Sequence, residues 1–105
     1  MTPGKMASQA GHAYLGAFLE TQRSNSVQAA EYASESPGTK VCLQGSLPQI
    51  LKAHAQAKAL GVPFFVVIDS GCQNFFEGAP TLTAFGFGPA TDEQVKPITK
   101  KLKLL

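Results

Sequence analysis

Three polar residues near the start of the chain have the types and the spacing of a reactive site. Lys5, Gln9 and His12 are four and then three residues apart, so on an α-helix they lie one above another on a single face. Thr2 and Pro3 fit the N-cap and the first position of that helix, which puts Lys5 in the first turn. The N-terminal end of a helix is positive and disfavours a cation. The placement therefore indicates either a lysine that extends into water or a lysine that meets an anion.

A carboxylate follows the most apolar segment of the chain. The run "PFFVVID" at 63–69 ends in Asp69, and the binding crevices of open α/β sheets lie off the carboxyl ends of parallel strands. An ion pair between Asp69 and Lys5 would keep both groups charged. The alternative is that Asp69 only begins the turn before Gly71, a position that aspartate often occupies.

The glycine-rich segment "GFGPATDEQ" at 86–94 is not a phosphate-binding loop. Asp92 and Glu93 occupy the first turn of the helix that it opens, where they suit the helix dipole and would repel a phosphate. The segment also lacks the glycine and lysine spacing of such loops. Its expected role is structural.

The elements that position these groups follow from hydrophobic spacing and capping residues. Helices are predicted over about 3–22, 27–34 and 46–60 and from residue 91 onward, the last two with capping boxes. Strands are predicted over 39–45, 63–69 and 81–88, the second of them buried on both faces. The order ααβαββα predicts a single α/β domain over 1–105, three layers deep (α/β/α), with a small sheet that is one strand short.

Composition bounds the class of protein. Hydrophobic residues make up 44% of the chain and charged residues 15%, which predicts a folded globular protein. The longest apolar run, 62–68, is too short to cross a membrane, and no secretory signal pattern is present, so we expect a cytoplasmic protein. Cys42 and Cys72 lack partners at ligand spacing, which predicts free thiols and gives redox chemistry little support. The net charge of +2 permits contact with RNA without requiring it.

Several motifs, taken in order along the chain, resemble the peptidyl-tRNA hydrolase 2 family. The helix opening of that family, G-K-x-A-A-Q-x-x-H-A, is similar to "GKMASQAGHA" at 4–13. Its D-A-G strand end, G-x-x-T strand entry and I-G-P-G-P-like turn are similar to "IDSG" at 68–71, "GAPT" at 78–81 and "FGFGPA" at 85–90. The ending "KLKLL" also resembles family C-termini. The resemblance thus covers essentially the whole chain.

This resemblance implies hydrolysis of the ester that joins a peptide to the 3′ ribose of tRNA, with no metal and no organic cofactor. It implies catalytic roles for Lys5, Asp69 and Thr81, which match the essential residues of the family. Substrate-binding roles are expected for Gly4, Gln9, His12 and Gln73. The family fold implies a mixed four-stranded sheet whose first strand would precede Met1, and a homodimer is one assembly to expect.

Three differences from the family pattern keep other functions open. The strand before the lysine helix is absent from a sequence that begins at Met1, so either the true start lies upstream or another strand fills its slot. Cys72 and Gln73 stand where the family has arginine and threonine, and Glu77 stands where it has proline. The alternatives are a non-catalytic relative that binds RNA or a protein, and an interaction protein whose open sheet accepts a strand from a partner or a sister chain.

Overall fold

The structure, a computed structural model, describes residues 2–34, 38–69 and 81–105, with the backbone alone at 69, 81 and 82. Within these ranges the helices are α1 (Pro3–Ser24), α2 (Ser26–Ser34), α3 (Leu47–Leu60) and α4 (Asp92–Thr99). The strands are β1 (Leu43–Gln44), β2 (Phe64–Asp69), β3 (Thr81–Phe87) and β4 (Lys103–Leu104). The order is ααβαββαβ, which confirms the predicted α/β class and adds one strand at the end.

Capping residues set the helix ends where the sequence predicts them. The Thr2 side chain accepts a hydrogen bond from the backbone N–H of Lys5 at 3.2 Å and so begins α1. The capping boxes at Ser46 and Thr91 are both complete. Gly61 ends α3 with a φ of 72°, in the left-handed region that glycine enters at no steric cost.

The strands form two separate ladders in the described part of the chain. β2 pairs with β3 and β1 pairs with β4, both antiparallel, so these residues do not form the mixed sheet that the family resemblance implies. The strand predicted over 39–45 is reduced to Leu43–Gln44, because only these two residues have a strand partner. That partner is β4, which the sequence did not predict.

Helices cover the two faces of the β2–β3 ladder, so the predicted three layers are present. Ala13 of α1 lies against Gly86 of β3, and His54 of α3 packs edge-on against Phe64 and Phe85, at 4.6 and 5.5 Å between ring centroids. Gly86 and Phe85 are adjacent in β3 and therefore point to opposite faces. α1 and α3 accordingly lie on opposite sides of the ladder.

The prediction that β2 is buried on both faces is wrong. Val67 is 8% exposed, but Phe65 and Ile68 are 37% and 53% exposed. A strand in the interior of a parallel sheet has neighbours on both edges and helices over its whole length. β2 instead has one hydrogen-bonded neighbour among the described strands, which leaves part of its apolar surface in contact with solvent.

The main apolar core lies between α3, α4 and the phenylalanine face of the ladder. Its buried members are Ala53, Ala57, Val62 and Ile98, packed against Phe64, Phe85, Phe87, Ala90 and Leu102. None of the helices in the described ranges is both long enough and apolar enough to cross a membrane.

Candidate functional site

Contacts along α1 show which end of the ladder its N-terminus reaches. Gln9 contacts Thr83, and one helical turn later Ala13 lies against Gly86. A Cβ atom at Gly86 would overlap the backbone carbonyl of Ala13, so the helix and the strand approach as closely as their backbones allow. Because both sets of residue numbers rise together, α1 runs in the direction of β3, and its first turn lies toward the start of that strand.

Lys5 is level with the end of the ladder at which β2 stops and β3 starts. It precedes Gln9 by four residues, about 6 Å along a helix axis, and about two strand residues cover the same distance. Two residues before Thr83 is Thr81, and the Cα atoms of Thr81 and Asp69 are register partners. Such partners are about 4.5–5.5 Å apart. The backbones of Asp69 and Thr81 are thus paired at this end of the ladder, and Lys5 belongs to the helix turn that extends toward it.

Two features describe the environment of Lys5 in the first turn of α1. The first turn of α1 contains no acidic residue, so the positive end of the helix is not neutralised from within that turn. Lys5 is partly buried, as a lysine can be when its aliphatic stem lies along the protein and its ammonium group stays in water. A negatively charged group at this turn would be stabilised by both the ammonium group and the helix dipole.

Gln9 lies at the interface between α1 and the ladder. It is only 9% exposed, and its side-chain Oε1 accepts a hydrogen bond from the Thr83 hydroxyl at 3.1 Å. The same hydroxyl lies 3.3 Å from the backbone carbonyl oxygen of Val67. A polar contact therefore links the helix to both strands next to the level of Lys5.

Sequence reasoning missed Thr83, although one signal for it existed. It is the only polar side chain in the run 82–88, which otherwise contains apolar residues and glycine. Strand alternation would place Thr83 on the same face as Phe85, in the apolar core, so the pattern alone gives it no partner. The contact with Gln9 depends on an irregularity of β3 that a single sequence does not reveal.

The remaining predicted binding residues are not part of this contact. His12 is exposed on α1, one turn after Gln9. Gly4 is exposed in the first turn, and a Cβ atom built there would meet nothing within 4 Å, so the backbone there is open to a ligand. Gln73 lies outside the described residues, as do Cys72 and Glu77, whose types differ from the family pattern.

A groove of about 580 Å³ lies at the opposite end of β2. Its lining includes the end of α1 and the turn between α3 and β2, with Glu20, Lys58 and Pro63 among the residues. Its lining also includes Phe64, Phe65 and Val66, so the groove covers the first half of β2 and ends three residues before Asp69, the last residue of the strand. Its position does not coincide with the predicted catalytic residues.

Comparison with known proteins matches the chain over its full length. The family model "Peptidyl-tRNA hydrolase PTH2" matches residues 1–105. Three curated relatives, each named peptidyl-tRNA hydrolase, illustrate the similarity. The protein of Methanocaldococcus jannaschii is 35% identical over 105 residues, which cover 100% of this chain and 90% of the relative. That of Methanopyrus kandleri is 34% identical over 105 residues, with 100% and 88% covered. That of Saccharolobus islandicus is 32% identical over 109 residues, with 100% and 89% covered. The chain therefore belongs to the peptidyl-tRNA hydrolase PTH2 family.

Proposed function

We propose that this chain hydrolyses the ester bond of peptidyl-tRNA and releases the peptide and free tRNA. The family match over residues 1–105 and the full-length similarity to proteins named peptidyl-tRNA hydrolase support this activity. The observation that carries the proposal is the contact between Gln9 and Thr83, two residues from Thr81, the register partner of Asp69, which directs the first turn of α1 toward this end of the ladder. An ester hydrolase needs a base and a positive field at one point, and Asp69 and the first turn of α1 would supply them at this end of the ladder.

Asp69 is the proposed general base of the reaction. Its carboxylate would accept a proton from a water molecule as the water oxygen attacks the ester carbonyl carbon. The bond between that carbon and the 3′ oxygen of the ribose then breaks. The ribose oxygen takes up the proton that Asp69 accepted, so Asp69 is again a carboxylate and the products are a carboxylic acid and a free hydroxyl group.

Lys5 is the proposed electrostatic stabiliser of the transition state. Its ammonium group, together with the backbone N–H groups of the first turn of α1, would stabilise the negative charge that develops on the carbonyl oxygen or the terminal phosphate of the tRNA. Thr81 would donate a hydrogen bond to the reacting group. Gln9 and His12 would position the substrate beside them.

The proposed substrate indicates the compartment in which the protein acts. A peptidyl-tRNA hydrolase acts where tRNA is used, so we expect the protein in the cytoplasm, as one domain over residues 1–105.

A homodimer is a proposed assembly, and light scattering of the purified protein tests it. A molar mass of twice 11.1 kDa is expected, and the mass of one chain would contradict a dimer.

The substitution Lys5→Ala tests the proposed function. We expect the turnover of N-acyl-aminoacyl-tRNA to fall about 10²–10³-fold, the usual loss when one donor to a developing oxyanion is removed. Thermal unfolding should change little, because the lysine side chain is not part of the apolar core. Lys52→Ala on the exposed surface of α3 is the matched control and should retain the wild-type rate. Wild-type turnover in the Lys5 variant would reject the assignment.

A further inference from the structure

We propose that Thr83 is a positioning residue, which orients the side-chain amide of Gln9 toward the substrate. The inference rests on the proposed function, because Gln9 acts in the reaction only if the α1 face that carries Lys5 meets peptidyl-tRNA. Three features carry it: a bulge in β3, a hydroxyl shared between two acceptors, and a buried glutamine in a row of small residues.

The bulge places one extra residue in β3. Val67 pairs with Ala84, and the next residue of β2, Ile68, pairs with Leu82, so Thr83 has no register partner. A bulge of this kind interrupts the ladder and redirects the side chain of the extra residue, and bulges are frequent next to active sites. The irregularity occurs two residues from Thr81, at the end of the ladder where the catalytic residues are proposed.

The bulge changes the face to which the Thr83 hydroxyl points. In a regular strand, Thr83 and Phe85 would point to the same side, since they are two residues apart. Phe85 packs into the core on the α3 side. The Thr83 hydroxyl instead contacts Gln9 of α1, on the other side. The extra residue therefore moves a hydrogen-bonding group from the apolar core to the helix that carries Lys5.

The hydrogen bonds of the hydroxyl define the orientation of the amide. Thr83 has one hydroxyl proton and two acceptors within reach, Oε1 of Gln9 at 3.1 Å and the carbonyl oxygen of Val67 at 3.3 Å. The Val67 carbonyl is fixed in β2, whereas the Gln9 amide can rotate. Donation to Oε1 keeps the carbonyl end of the amide toward β3 and directs the NH₂ end away from it.

Because Gln9 is buried, the orientation of its amide has a free-energy consequence. The buried row of α1 consists of Gln9, Ala13, Ala17 and Thr21. Ala13 packs against Gly86 of the ladder without a polar group, and Thr21 satisfies its hydroxyl within its own helix by donating to the Ala17 carbonyl at 3.0 Å. Within the described residues, the Gln9 side chain is bonded to a side chain of another element, Thr83 of β3. A buried amide that loses such a partner is costly, so the contact restricts Gln9 to few orientations.

The experiment begins with Thr83→Val, which removes the hydroxyl and preserves the branched shape. We expect kcat for peptidyl-tRNA to fall about tenfold, the order of one hydrogen bond, while KM stays within about twofold. Thr83→Ser should restore most of the rate. Thr21→Val is the matched control, because it removes a buried threonine hydroxyl from α1 far from the ladder end, and it should keep the wild-type kcat. A Thr83→Val enzyme with wild-type kcat would overturn the inference.

A double-substitution cycle separates positioning from a general structural role. If Thr83 acts through Gln9, then Thr83→Val should lower kcat by less than about twofold in a Gln9→Ala background. A second full tenfold loss in that background would mean that Thr83 acts independently of Gln9, and would overturn the inference.

An NMR measurement keeps the inference testable apart from the activity. We expect Thr83→Val to shift the side-chain amide signals of Gln9, and Thr21→Val to leave them in place. If wild-type protein does not hydrolyse peptidyl-tRNA, or if Gln9→Ala is fully active, the proposed function or the role of Gln9 fails. If instead the Gln9 signals do not move in Thr83→Val, the positioning inference fails on its own.

Discussion

The two faces of the β2–β3 ladder are built from different residues and make different kinds of contact with their helices. On the α3 side, phenylalanines of both strands pack against alanines and Ile98, which is 4% exposed. On the α1 side, Ala13 meets Gly86 at backbone distance and Gln9 meets Thr83 through a hydrogen bond. Both faces bury apolar residues, but the α1 face also holds its helix to the strands through a backbone-close approach and a polar contact.

This difference predicts that the free energy of unfolding and kcat depend on different faces of the ladder. Apolar burial on the α3 side stabilises the fold wherever it occurs, because it depends on area and not on direction. The α1 side also packs an apolar side chain, Phe65 against Gly16, and in addition its polar contact directs the first helical turn toward the end of the ladder that carries Asp69 and Thr81. Substitutions on the two sides should therefore have separable effects on the free energy of unfolding and on kcat.

The largest effect on chemistry is expected from Asp69→Asn. The amide keeps the shape of the side chain but is no longer a base, so kcat should fall about 10²–10⁴-fold. The midpoint of thermal unfolding should stay close to that of the wild type, because the substitution removes no apolar contact. Single-turnover hydrolysis of peptidyl-tRNA and a thermal melt measure the two quantities. A drop in kcat that only follows a loss of folded protein would contradict the separation.

A large effect on stability alone is expected from Ile98→Ala on the α3 side. The side chain lies in the core with Ala53, Ala57 and Val62, and its truncation leaves a cavity. The free energy of unfolding should fall by about 2–5 kcal/mol. Urea unfolding measures this change, and kcat per folded molecule should remain at the wild-type value. A specific loss of kcat here would mean that the two faces are not independent.

A smaller effect, on both the free energy of unfolding and kcat, is expected from Gly86→Ala on the α1 side. The new methyl group would overlap the Ala13 carbonyl, so α1 must move away from β3. The free energy of unfolding should fall by about 1–3 kcal/mol, and kcat should fall as well, because Lys5 and Gln9 move with the helix. Gly11→Ala is the matched control: an added Cβ meets nothing within 4 Å there, and helix stability should rise by about 0.5–1 kcal/mol. Unchanged kcat in the Gly86 variant would show that the close approach has no part in the reaction.

Local signals made the helices predictable. N-caps and capping boxes act within four residues, so Thr2, Ser46 and Thr91 fix helix starts from the sequence alone. Strand pairing depends on residues far apart in the chain, and here the prediction was weaker. β4 is two residues long and exists only because it pairs with β1, and the continuous apolar sequence of β2 hides its partial exposure.

The candidate site, like the fold, was predictable only in part from the sequence. Helical spacing brings Lys5 and Gln9 to neighbouring turns of one helix, and family resemblance selected Asp69 and Thr81, whose backbones are register partners. Periodicity could not find Thr83, because the bulge reverses the face that alternation assigns to it.

The most direct test of the account is to locate where substrate binds. An aminoacyl-adenosine analogue with an amide in place of the ester can be titrated into the protein while backbone amide signals are followed by NMR. We predict that signals of Lys5, Gln9, Asp69 and Thr81 shift, while those of α3 and α4 stay in place. Shifts confined to the groove beside Pro63 at the other end of β2, with the Lys5 turn unchanged, would contradict the account.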